Sequence, residues 1–526
     1  MVCCSALRRP GAPYKNKVIS MKRILAIILL LPVVCVSIAA EHDGGDKDAQ
    51  QKEVPEAKQY VTEHEARIGG QKVEYTVTAG TMLMKNEKDE PQALIGYTAY
   101  VAKGGNRRER PIMFAYNGGP GSASIWLHMG ILGPQRAVVT DAGFGNNGPY
   151  RRVNNEYSII DETDLVMIDP VGTGFAKAVG EAKGEDFWGV DQDIKSISEF
   201  IVQYLTENGR WASPKYILGE SYGGMRSGGV AYYLLENHFV ALDGVILVSP
   251  FMEFTSGFSG MGIDLPHAMF LPTFAATARY HGALDPTPPD LEKFLDEAAD
   301  FALNEYAPAL LKGDALTDSE RGAVLAGLSK YTGLSEDYWD RANLRINEGR
   351  FTKELMRVTG KTVGRVDSRF AGHMINRIGE SAVYDPMLTA IGPGYLAAFM
   401  DYYQTDLEVE DIGNYTVFGN IFMKWDWSHR QPDLRGFKLP FPNTAVDLAF
   451  AMRQNPSMRV LVQQGYYDLA TPHLATEYFM DHLDIPDELR DNIEYATYEA
   501  GHMMYIHEPS MVKFKDDLAR FVRGDN

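Results

Sequence analysis

The pentapeptide Gly219-Glu220-Ser221-Tyr222-Gly223 directly follows the apolar run Lys215-Tyr216-Ile217-Leu218, and no other feature of the chain constrains its fold as much. A G-x-S-x-G sequence at the carboxyl end of a strand bends the backbone sharply into a helix. The serine hydroxyl then projects from the turn, where a base can take its proton and make it a nucleophile. Side chains on the flanks would collide in so tight a turn, and Gly219, Gly223 and Gly224 remove them. The pattern predicts a strand up to Leu218, the turn at Ser221 and a helix from Met225 to Leu235.

A serine activated in this way needs an acid and a histidine later in the chain, each at the end of a core strand. Met458 to Gly465 reads as a buried strand, and Asp468 follows in Tyr466-Tyr467-Asp468, which makes it the acid candidate. His502, in Ala500-Gly501-His502-Met503 ahead of a closing helix from Met511 to Val522, is the base candidate. Its rivals His507, His473 and His128 lack its combination of chain order and preceding glycine. Asn117-Gly118-Gly119-Pro120-Gly121 follows the strand-like Ile112 to Tyr116, and a glycine-rich turn there exposes backbone N–H groups. The amides of Gly119 and Tyr222 are the candidate donors to an oxyanion.

Together with Asp169-Pro170-Val171-Gly172-Thr173-Gly174-Phe175, these segments resemble the serine carboxypeptidase family, the S10 peptidases of the α/β-hydrolase fold, and they occur in that family's order. The resemblance implies a Ser221, Asp468, His502 triad, an oxyanion hole from Gly119 and Tyr222, and capture of a substrate's terminal carboxylate by Asn117 and Glu220. It implies peptide substrates, proteolysis from the carboxyl end, and no cofactor. Two positions depart from the family pattern. Ala115 stands where a tryptophan is usual, and Ile131 where a second glutamate usually shares a proton with the one beside the nucleophile. Half of the carboxylate network is thereby missing. An aminopeptidase, esterase or acyltransferase on the same scaffold, or a non-catalytic binding protein, are the alternative readings. Arg226, five residues beyond the serine on the following helix, is a candidate to bind the carboxylate directly, against the plainer reading of a paired arginine.

The rest of the chain fits that architecture. Residues 1–40 read as a leader: Met21-Lys22-Arg23, the apolar Ile24 to Ile38 and the small pair Ala39-Ala40 have the order of a secretory signal, with cleavage near Ala40. Fifteen apolar positions are short for a bilayer span, so no stable membrane insertion is expected after cleavage. Cys35 invites a lipoprotein reading, but the bulky Val34 precedes it. Cys3, Cys4 and Cys35 are all in the leader, so disulfides, iron–sulfur clusters and thiolate zinc sites are excluded from the mature chain. Eukaryotic secreted members of the family carry several disulfides, and a thiol-free chain points to a bacterial protein of the periplasm or beyond.

Residues 41–60 read as a polar linker. Residues 61–250 alternate strand and helix, as in a mostly parallel sheet flanked by helices, after antiparallel strands marked by Val73/Tyr75/Val77 and Ile95/Tyr97/Ala99. Ile194, Ile197, Ile201 and Leu205 mark one helix face. Residues 251–440 lose that alternation and read as an inserted, largely helical cap, and 441–526 resume the core with the acid and the base. The net charge of the whole chain is −19, and the leader's basic residues are lost with it, so the remainder is more acidic still. Such a field repels phosphate backbones, which excludes nucleic acid as a partner. Gly143-Phe144-Gly145-Asn146-Asn147-Gly148 matches G-x-G-x-x-G, but with no strand and helix around it and Pro149 behind it, it is a loop. No metal-ligand spacing and no internal repeat occur.

Overall fold

A computed structural model describes residues 54–145, 147–410 and 413–525. The expected leader with its three cysteines, most of the linker, and Asn146 lie outside the described residues. The apolar runs form a ten-stranded mixed sheet. Its main path comprises β1 (Gln59–Ile68), β2 (Gln71–Lys85), β3 (Pro91–Ala102), β4 (Ile112–Tyr116), β5 (Asp164–Asp169), β6 (Lys215–Glu220), β7 (Gly244–Val248), β8 (Arg459–Gly465) and β9 (Ile493–Tyr498). The spatial order is β1-β2-β3-β5-β4-β6-β7-β8-β9, and the short strand Lys177–Ala178 pairs with β3 off this path. β1, β2, β3 and β5 pair antiparallel in turn, and every pairing from β5 to β9 is parallel. β1 begins inside the segment expected as linker, because Gln59 to Ile68 pairs along its whole length with β2.

A parallel strand covered on both faces reads as an unbroken apolar run, and every residue of β4, β5, β6 and β7 is buried. Successive side chains still point to opposite faces. Met113, Leu165, Leu218 and Val248 enter one core, and Phe114, Val166, Ile217 and Leu247 enter the other. The helices that cover these faces are α1 (Val190–Glu207), α2 (Tyr222–His238), α3 (Pro386–Thr405), α4 (Ala445–Gln454) and α5 (Glu508–Arg523). α1, α2 and α4 close the second core, and α1 does so through the face that Ile194, Ile197, Ile201 and Leu205 mark in the sequence. α3 and α5 close the first.

Beyond β7 the helices Leu271–Tyr280, Leu291–Phe301 and Asp318–Thr332 share a third apolar cluster with Tyr467 and Leu469, the neighbours of Asp468. The helical insertion is thus seated at the carboxyl end of β8. The insertion expected over 251–440 is not all cap, however. α3 buries Met387, Ile391, Tyr395, Phe399 and Tyr402 in the first core beside Tyr75 and Tyr100. Its length and apolar content make it part of the wall of the sheet.

Candidate active site

β6 ends at Glu220 and α2 begins at Tyr222, so Ser221 alone makes the turn. Its φ of 64° and ψ of −126° are costly for a residue with a side chain, roughly 1–3 kcal/mol. The surroundings hold it there. The Ser221 N–H donates to the Val248 carbonyl at 2.9 Å, and the Ser221 carbonyl accepts from the Gly224 and Phe251 amides at 2.8 and 2.9 Å. A Cβ on Gly219 would lie 2.1 Å from the Gly223 carbonyl oxygen, and one on Gly118 would lie 2.5 Å from both Tyr222 N and Gly223 N. Only glycine lets the turn after β4 close against the start of α2. That approach brings Gly119 and Tyr222, the expected oxyanion donors, to the wall of one cavity of about 590 Å³.

β8 and β9 run parallel with Gly465 opposite Tyr498, so the loops that follow them emerge side by side. They carry Asp468 and His502, both buried, with His502 Nδ1 at 2.7 Å from Asp468 Oδ2. The other carboxylate oxygen of Asp468 accepts from the Ala470 and Thr471 amides at 2.7 and 3.0 Å, and the Thr471 hydroxyl donates to Oδ2 at 2.6 Å. With Nδ1–H given to Asp468, Nε2 is the nitrogen left to accept a proton. Burial lowers the affinity of His502 for a proton, but the charge and hydrogen bond of Asp468, with Glu220 behind them, raise its pKa above the ordinary value. Ser221 and His502 line the same cavity. His128, His473 and His507 do not; burial pushes the first down to about 3 and the second to about 4, and the third bonds Ser510 at 2.8 Å.

Glu220, immediately before Ser221, lines this cavity too. Its Oε1 accepts from the Asn117 side-chain amide at 2.7 Å, and Asn117 Oδ1 accepts from the Leu127 N–H at 3.0 Å. Its Oε2 accepts from the Tyr505 hydroxyl at 2.7 Å. Burial pushes Glu220 up to about 7, against the opposing pull of His502 and of these two donors. Tyr505 was not foreseen, because Met503-Met504-Tyr505-Ile506 reads simply as apolar packing. Ile131 is buried in the first core, as its side chain requires.

Arg226 is placed otherwise than expected. It does not line the cavity; it is fully buried, with Nε at 2.7 Å from Asp193 Oδ2 and one terminal nitrogen at 2.8 Å from the Asn117 carbonyl. Its guanidinium lies between the rings of Tyr116 and Tyr222, 4.9 and 5.4 Å from their centroids. A buried cation must be paired, and α1 supplies Asp193 for that purpose. Arg226 therefore braces Asn117 from behind and is not available to a substrate carboxylate.

A polar segment of the insertion, residues 364–369, also escaped the sequence reading. The Val366 carbonyl accepts the His502 N–H at 2.8 Å, the Arg365 carbonyl accepts the Leu469 N–H at 3.0 Å, and the Ser368 N–H donates to the Tyr467 carbonyl at 3.0 Å. Gly501 lies so close that a Cβ there would sit 2.5 Å from Asp367. The segment ties the loops of Asp468 and His502 together, and its composition alone reads as solvated loop. The cavity wall beside Tyr222 is aromatic: Trp427 lies 5.9 Å from the Tyr222 ring and 5.0 Å from Phe254. The charged residues that line the cavity are Glu220, Glu348 and Arg365. Among the described residues no group of three or more His, Cys, Asp or Glu is placed to hold a metal ion, and no helix is long and apolar enough to cross a membrane.

Residues 78–262 match the family model described as serine carboxypeptidase. That stretch contains the Asn117 and Asp169 segments and the Ser221 turn, and stops short of Asp468 and His502. Serine carboxypeptidase-like 10 of Arabidopsis thaliana is 25% identical over 162 residues, 29% of this chain and 35% of that protein. The vitellogenic carboxypeptidase of Aedes aegypti is 32% identical over 135 residues, 24% of this chain and 25% of that protein. The chain thus spans about a third or less of the length of these relatives. A solved prohormone-processing carboxypeptidase from Saccharomyces cerevisiae superposes with a TM-score of 0.51 at 15% identity, over 86% of this chain and 92% of that one. The chain has the α/β-hydrolase fold with a helical insertion.

Proposed function

We propose that this chain, which carries the serine carboxypeptidase pattern over residues 78–262, is a serine hydrolase that removes carboxyl-terminal residues from peptides. One observation carries the reading. A single cavity joins a serine in a left-handed turn, a histidine bonded to a buried aspartate, and a glutamate whose burial holds its pKa near neutrality.

Ser221 attacks the scissile carbonyl as His502 Nε2 takes its proton. Asp468 keeps the imidazole oriented and stabilises it once charged. The Gly119 and Tyr222 amides bind the oxyanion, and His502 returns the proton to the leaving amine. Water then attacks the acyl-enzyme by the same route. Glu220, held by Asn117 and Tyr505, meets the leaving residue's carboxylate, and its neutral form can do so without charge repulsion. The aromatic wall beside Tyr222 suits an apolar side chain on the acyl half. The leader pattern supports work outside the cytoplasm, in a bacterial periplasm or beyond, and amino-terminal sequencing of exported material should give a start near Glu41.

The test is labelling by a fluorophosphonate probe, followed by digestion of paired peptides with free and amidated carboxyl ends. Rapid labelling and preference for the free acid are expected. Equal cleavage of both peptides at every pH would remove the carboxypeptidase reading, and a requirement for a free amino end would replace it with an aminopeptidase.

A further inference from the structure

With Ile131 in the core and Arg226 behind Asn117, the expected network contains no cation for a substrate's carboxylate. The insertion provides one. Arg365 is exposed, lines the cavity with Ser221 and His502, and forms no ion pair among the described residues. An arginine in a cavity of an acidic protein ordinarily finds a carboxylate; one that faces the site without a partner is available for an anion.

Its backbone is held in place from three sides. The Arg365 and Val366 amides donate to Asp385 Oδ2 at 2.7 and 3.0 Å, the Arg365 carbonyl accepts from Leu469, and the Val366 carbonyl accepts from His502. The guanidinium is therefore carried on the segment that fixes the acid and base loops, close enough to oppose the protonation of His502. His502 must hand its proton to the leaving amine, so groups that flank the imidazole face the leaving half of a substrate. Groups that flank Tyr222 face the acyl half, and there the wall is aromatic. Glu348, the remaining charged group of the cavity, has the wrong sign for a carboxylate.

We propose that Arg365 binds the carboxylate of the leaving residue and supplies from the insertion the charge compensation that the position of Ile131 lacks. The inference rests on the hydrolase reading above and deepens it. Arginine suits the task because its planar fork can take both carboxylate oxygens and stays charged throughout the working pH range.

The experiment compares wild type with Arg365→Met and Arg365→Lys on two substrates with the same acyl half: a peptide with a free carboxyl end, and an ester whose leaving group is a neutral alcohol. The readout is the ratio of their kcat/KM values. Arg365→Met should lower that ratio roughly 10- to 100-fold, mainly through KM for the peptide, as expected for loss of a charged hydrogen-bonded pair. Arg365→Lys should recover part of it. A ratio that stays within about twofold of wild type in Arg365→Met overturns the proposal, as does an equal fall on both substrates, which would mean that Arg365 only supports His502. The fluorophosphonate probe carries no carboxylate, so labelling of each variant reports the Ser221–His502 pair separately. Failure of wild type to label would overturn the hydrolase reading and this inference with it, whereas normal labelling with an unchanged ratio overturns the inference alone.

Discussion

Replacing Tyr505 by phenylalanine keeps the buried ring and removes one hydroxyl, so its effect on Glu220 isolates one hydrogen bond. That hydroxyl donates to Oε2 at 2.7 Å, and the Asn117 amide holds the other oxygen. A hydrogen bond to a charged group contributes about 1.5–3 kcal/mol. One pKa unit corresponds to about 1.36 kcal/mol between the two protonation states. Loss of a donor destabilises the ionised form, so the pKa of Glu220, already pushed up to about 7, rises by roughly one to two units. The assay is the ratio of kcat/KM for a free-acid peptide to that for the matched ester, measured from mildly acidic to alkaline pH. The titration of His502 enters both values and cancels. In wild type the ratio falls as pH rises through about 7, where Glu220 loses its proton and begins to repel the carboxylate. In Tyr505→Phe the fall moves upward, and at about pH 8 the variant's ratio should exceed that of wild type by roughly five- to tenfold. An unmoved profile would mean that the protonation of Glu220 does not govern carboxylate binding, and a downward shift would contradict the hydrogen bond's direction.

Asp468→Asn should leave the fold intact and lower kcat roughly 10⁴-fold, because an amide at that position no longer selects the productive imidazole tautomer; slowed probe labelling checks it. Arg226→Met leaves Asp193 buried without its cation, and should cost about 3–5 kcal/mol in chemical denaturation, whereas a loss below about 1 kcal/mol would count against its bracing role. His429 lies buried between Asp191 and Asp447, at 2.7 and 2.9 Å. Burial lowers its pKa, but hydrogen bonds to both carboxylates outweigh this and hold it at about 9. Because the folded value is above the unfolded one, the stabilisation is complete below about pH 6.5 and is lost as pH rises through about 9, a difference of about 3 kcal/mol. Denaturation across that window should show the slope, and His429→Gln should flatten it.

The expected site residues that the structure brings to one cavity share one property: each lies in a short stretch whose local pattern was legible. Gly219, on the flank of Ser221, must be glycine because a Cβ there meets the Gly223 carbonyl oxygen of the same turn at 2.1 Å. Asp468 stood out because it follows a run that reads as a buried strand, and His502 because of its chain order and preceding glycine; the parallel pairing of β8 and β9 sets their loops side by side. The strands themselves were legible because burial on both faces leaves an unbroken apolar run.

Where the sequence reading failed, the partner lies far along the chain. Arg226 alone is compatible with a surface group, an ion pair or a ligand site; Asp193, on another helix, decides the matter. Tyr505 stands 285 positions from Glu220, and nothing local distinguishes it from a core aromatic residue. α3 lies within a stretch that lacks strand–helix alternation, yet it closes the sheet, since its apolar face fits that core as well as it would fit a cap. The segment 364–369 was legible only as polar loop, because its ties to the loops of Asp468 and His502 run through backbone groups that carry no side-chain signature. Local sterics and hydrophobic periodicity are written in short stretches of sequence, and from these the chain itself determined the sharp turn at Ser221 and the core strands. Pairing of buried charges and hydrogen bonds across the fold depends on which distant elements meet. Only the tertiary structure decided that Glu220 is held by a tyrosine, that Arg226 braces Asn117, and that Arg365 faces the cavity without a partner among the described residues.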